Sequence, residues 1–105
     1  MYFLTAIHNS QVFHGETRSI VESCYQDKRT FGYFKLYDAA KNAIDNNTGN
    51  MQECWYNYLV LEYIPEGIHG KAENEEWFEW YDKDGAWIEC EKPAWAQGIV
   101  NWAIG

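Results

Sequence analysis

Between residues 55 and 64 an extended chain would be apolar on both of its sides. Tyr56, Tyr58, Val60 and Ile64 alternate to one face, and Trp55, Leu59, Leu61 and Tyr63 to the other. A strand of that kind belongs at the centre of a sheet. Pro65-Glu66-Gly67 stops it. Glu62 is the one acid inside this stretch. It is expected to be part-buried and hydrogen-bonded, with a raised pKa that would also suit a general base.

The rest of the chain arranges itself around that strand. Residues 2–8 read as an inner strand, with Tyr2, Leu4 and Ala6 on one face and Phe3, Thr5 and Ile7 on the other. Residues 9–17 read as a loop, residues 18–25 as a weak strand, and Gln26-Asp27-Lys28 as a turn. Residues 29–34 form a better, aromatic-rich strand, in which Gly32 signals a bulge or a close approach. Residues 37–46 give the one helical pattern, with Tyr37, Ala40 and Ile44 on a narrow apolar stripe. Asp38 favours its start, and Asn46-Asn47-Thr48-Gly49-Asn50 ends it. Residues 69–75 read as a loop. Residues 77–81 and 86–90 form a hairpin around Asp82-Lys83-Asp84-Gly85, with Gly85 in the left-handed position. Residues 93–97 suit one helical turn, and residues 99–104 a last strand. The expected fold is therefore α+β: a single domain over residues 1–105, with a mostly antiparallel sheet of five or six strands and one helix packed on one face.

Charge divides the chain unevenly. Residues 1–50 carry five acids and five bases; residues 51–105 carry eleven acids and three bases, which makes up the whole net charge of -8. Such a field disfavours direct binding to nucleic-acid phosphates and attracts basic surfaces. No apolar run is long enough for a membrane helix, and the first residues lack the basic region of a signal peptide. A cytoplasmic setting is expected. Cys24, Cys54 and Cys90 are far apart and form no C-x-x-C pair, and the three histidines are scattered. The reading is reduced thiols, no metal site and no cofactor.

Several stretches carry a family likeness. They are Arg29-Thr30-Phe31-Gly32-Tyr33-Phe34, the helix with Ala40 and Ile44, Asn46-Asn47-Thr48, Met51-Gln52-Glu53, and Tyr56-Asn57-Tyr58-Leu59-Val60-Leu61-Glu62. Glu66-Gly67-Ile68, Trp77-Phe78-Glu79-Trp80 and the ending Asn101-Trp102-Ala103-Ile104-Gly105 complete them. Across nearly its whole length the chain resembles a group of small acidic proteins from gut clostridia and their phages and mobile elements, a group with no established activity. Leu36 stands where a Ser or Thr helix cap is expected, and Asn50 where Asp is. The resemblance implies a mobile-element setting, in which small acidic proteins often counter host defence.

No catalytic constellation is read from the sequence. No cysteine sits at a strand-turn-helix elbow or a helix start, and no glycine-rich phosphate loop is present. Two binding readings follow. In the first, an acidic and aromatic face made of Glu73, Glu75, Glu76, Trp77, Glu79, Trp80, Asp82, Asp84 and Trp87 blocks a host protein with a basic surface, as an anti-CRISPR-like mimic of nucleic acid. In the second, an aromatic pocket sequesters a nucleotide immune messenger. Arg29 would grip phosphate, Asn46 and Asn47 would read the base or ribose, and Tyr33, Tyr56 and Tyr58 would form the walls. A third reading is a structural or interaction module with no defence role. A hairpin strand at the sheet edge would also permit homodimerisation by strand pairing.

Overall fold

The computed structural model describes residues 1–9, 26–54, 56–67, 72–99 and 101–103. Five strands appear in it: β1 (Tyr2–Asn9), β2 (Gln26–Phe34), β3 (Tyr58–Tyr63), β4 (Asn74–Tyr81) and β5 (Ala86–Cys90). One helix, α1 (Tyr37–Asp45), joins β2 to β3 by way of a short 3-10 turn, Met51–Cys54. The sheet order is β2-β1-β3-β4-β5, antiparallel throughout. The α+β fold is as expected, and β3 is indeed its middle strand.

Strand parity decides what each face holds. Leu4, Ala6, Leu59, Leu61, Phe78 and Trp87 pack beneath Ala40 and Ile44 of α1 and Met51 of the 3-10 turn. Leu36 precedes α1 in an extended conformation and makes no side-chain cap. Asn47 (φ 47°), Gly49 (φ 89°) and Asn50 (φ 49°) close the helix with left-handed backbone. In β2 the pairing shifts between Leu4 and Thr5, so that Phe31 is the extra residue of a bulge next to Gly32. The bulge turns Phe31 onto the helix-side core.

The opposite face is covered by the C-terminal segment. Ile7, Tyr58, Val60 and Trp77 lie under Trp95, Ala96 and Trp102. The rings meet edge to face: Tyr58–Trp95 at 5.1 Å, Trp77–Trp102 at 5.5 Å and Trp77–Trp95 at 5.8 Å between centroids.

The structure corrects two elements. Residues 26–28 are not a turn: Gln26, Asp27 and Lys28 pair with Asn9, His8 and Ile7. As an outer strand, β2 tolerates polar side chains there. Among the described residues of 99–104 no strand forms; Trp102 and Ala103 make a turn on the sheet face. Their N–H groups find acceptors in a side chain: Trp102 N donates to Glu62 Oε2 (2.8 Å) and Ala103 N to Glu62 Oε1 (3.0 Å). The loop expected up to residue 75 ends earlier, because Asn74 and Glu75 already belong to β4. The strand read at residues 18–25 lies outside the described residues.

Candidate functional site: the acidic end of the sheet

The hairpin β4–β5 is held by the pairs Trp77–Cys90, Phe78–Glu89, Glu79–Ile88, Trp80–Trp87 and Tyr81–Ala86. Its turn closes through Gly85, at φ 59°, whose N–H donates to Tyr81 O at 2.9 Å. Alternation splits the acids and rings that the sequence reading placed on one face. Glu76 and Trp80 share the α1 side with Trp87. Glu75 and Glu79 share the C-terminal side with Trp77. Trp77 (2% exposed) and Trp87 (6%) are core residues on opposite faces, so neither is a surface anchor. Trp80 packs edge to face on Trp87 at 5.1 Å and donates from Nε1 to Asp82 Oδ1.

The acids fall into two groups by what they already hold. Glu75 Oε1 lies 3.1 Å from Lys92 Nζ and accepts from Trp77 Nε1 at 3.0 Å. Glu76 accepts the Tyr37 hydroxyl at 2.8 Å and, with burial, pushes the phenol up to about 12. Glu73, Asp82, Asp84, Glu89 and Glu91 are exposed. A cleft of about 650 Å³ opens where β4 begins and β5 ends. Glu73, Glu75, Glu76, Glu89 and Glu91 line it, with Trp77, and Lys92 is the one base in its wall. Lys92 was not singled out from the sequence; it is the counter-charge that the carboxylate cluster requires.

Two side chains bear on chemistry. Glu62 is wholly buried. Burial first, and then the Glu75 charge, raise its carboxyl above the usual range; the two N–H bonds and Lys28 pull the other way. A carboxylate engaged by two backbone donors acts as a clamp on the C-terminal segment. The Cys90 thiol is pushed up to about 11 by burial and by Glu79 and Glu89, so it is protonated and unreactive at neutral pH.

The residues proposed for a nucleotide pocket are not all brought together: only Arg29 and Tyr56 meet, on the ring of Phe31. Tyr58 is buried under Trp95, on the face away from α1. Tyr56 meets Phe31 edge to face at 5.7 Å, and the Arg29 guanidinium lies 4.6 Å from the centre of that same ring. Asn46 caps α1 by donating to Asn42 O. The Asn47 side chain is spent on Trp87 Nε1 (3.0 Å), Met51 N (3.3 Å) and Gln52. Tyr33 is 68% exposed, and it lines a separate apolar cleft of about 450 Å³ with Met1, Phe3, Ile64 and Pro65.

No family model matches this chain, and neither the curated proteins nor the solved structures contain a match to it. Among the described residues, no helix is long and apolar enough to cross a membrane.

Proposed function

We propose that the protein is a non-enzymatic binding protein of mobile-element type, which docks its acidic sheet end on a basic groove of a host protein and so blocks access of nucleic acid. The observation that carries this reading is the cleft where five glutamates converge against a single lysine. Three of them, Glu73, Glu89 and Glu91, are exposed. Closely spaced carboxylates on a rigid hairpin present a field like that of a phosphate backbone, and such a field speeds encounter with a basic partner. The uneven charge of the chain and its resemblance to small acidic mobile-element proteins support the same reading.

The test is paired affinity capture from host lysate with the wild type and with the triple variant Glu73→Gln/Glu89→Gln/Glu91→Gln. These substitutions spare Glu75 and Glu76, whose partners are structural. The expected result is a stoichiometric protein that elutes with salt and associates roughly 10- to 100-fold more slowly with the variant. Equal capture by both would overturn docking through these acids. A nucleotide released on heating, with no protein partner, would replace blockade with sequestration.

A further inference from the structure

The outer strand β5 carries a second use that does not depend on a basic partner. The Trp80 N–H donates to Asn57 O on the β3 side. In an antiparallel ladder, residues alternate in which neighbour their backbone groups face. Trp80–Trp87 is therefore a non-hydrogen-bonded pair of β4–β5, and Trp87 and Glu89 turn their N–H and C=O groups outward. Among the described residues, no strand receives them. Between them sits Ile88, an aliphatic side chain 39% exposed in mid-strand. An edge of this kind is a template for another strand.

We propose that the occupant is β5 of a second copy, antiparallel, about a two-fold axis through Ile88, so that two five-stranded sheets become one continuous sheet. The exposed aliphatic side chain in mid-strand centres this register. With Ile88 opposite its own copy, Trp87 faces the second copy's Glu89, and Ala86 faces its Cys90. Along the paired strands no like charges oppose one another directly. A shift that centres the axis on Glu89 sets the two Glu89 carboxylates face to face and is disfavoured. The remaining acids of the hairpin repel over a longer range. Salt screens that repulsion, so self-association strengthens as salt rises, whereas docking on a basic partner weakens.

Sedimentation equilibrium over a range of protein concentration, at low and at high salt, tests the proposal with the intact chain. The expected result is a monomer–dimer equilibrium that moves toward dimer in high salt. Glu89→Pro removes an outward N–H and the Glu89 carboxylate but no hydrogen bond to β4, and should give a monomer with an unchanged circular-dichroism spectrum. Independently of whether the proline variant folds, Ile88→Cys in a Cys24→Ser/Cys54→Ser/Cys90→Ala background should form a disulfide-linked dimer on mild oxidation, because residues on the axis bring their Cβ atoms close. A monomer under every condition, a dimer that survives Glu89→Pro, or a dimer that does not link through position 88 would overturn the proposal. Sedimentation and the Ile88→Cys cross-link leave Glu73, Glu89 and Glu91 in place, and salt moves self-association and capture of a basic partner in opposite directions, so the two proposals fail separately.

Discussion

The two faces of the sheet are closed by different means. On one, α1 lays Ala40 and Ile44 on an aliphatic and aromatic bed centred on Leu59, Leu61 and Phe78. On the other, a segment with no long helix or strand among its described residues covers Ile7, Val60 and Trp77 with Trp95 and Trp102. The helix satisfies its own backbone. The C-terminal segment does not, and it draws two acceptors from Glu62, forty residues earlier in the chain. A covering segment without its own hydrogen-bond ladder needs a buried polar group beneath it, and that makes its face sensitive to protonation as well as to packing.

The largest effect is expected on the helix side. Phe78 is fully buried at the centre of that core, and Phe78→Ala should cost about 3–5 kcal/mol of global stability in urea unfolding. Trp102→Ala should cost less, about 3 kcal/mol, because the turn that carries Trp102 is freer to collapse into the space than α1 is. It should also reduce the near-ultraviolet circular dichroism of the Trp77–Trp95–Trp102 cluster. Equal losses from both variants would mean that the two faces are equally rigid.

That asymmetry explains what the sequence did and did not disclose. The central strand, α1, the Gly85 turn and the bulge beside Gly32 are written in local periods and turn residues; the strand is shorter than the 55–64 read, running Tyr58–Tyr63. Residues 99–104 alternate like a strand in sequence, but Trp102 and Ala103 donate to the side chain of Glu62, distant in the chain, which no local pattern encodes. The acidic face was misjudged for a simpler reason. Neighbours on a strand point to opposite sides, so Glu75, Trp77 and Glu79 cannot share a surface with Glu76 and Trp80. The depth of Trp77 and Trp87 depends on which segments cover the two faces, and that is set by tertiary packing.

Glu62 sharpens the comparison through pH. Its carboxyl is raised in the folded protein, chiefly by burial, so the fold favours the neutral acid. Its contribution to stability is present in full below the unfolded value, near 4.5, and is lost as pH rises through the raised folded value. Glu62→Gln should remove this dependence and change stability at neutral pH by less than about 2 kcal/mol, since relief of desolvation offsets the loss of an acceptor. Unfolding midpoints measured across that interval check this. A variant that kept the wild-type slope would show that other acids produce it.

The smallest effect belongs to the one side-chain hydrogen bond described between α1 and the acidic strand, from the Tyr37 hydroxyl to Glu76. Tyr37→Phe removes the donor and leaves the ring, whose edge-to-face contact with Tyr2 at 5.7 Å remains. Both partners are only half-buried, so the loss should be about 1 kcal/mol, read as a shift in urea midpoint with an unchanged slope. The sign of its pH dependence is also fixed. The folded phenol titrates near 12, against 10.0 without its partner. The wild-type advantage should therefore hold from neutral pH to about 10 and decline as pH rises toward 12. A Tyr37→Phe deficit that stayed constant through that window would assign the effect to ring packing, and α1 would then owe nothing to the charge of the strand beneath it.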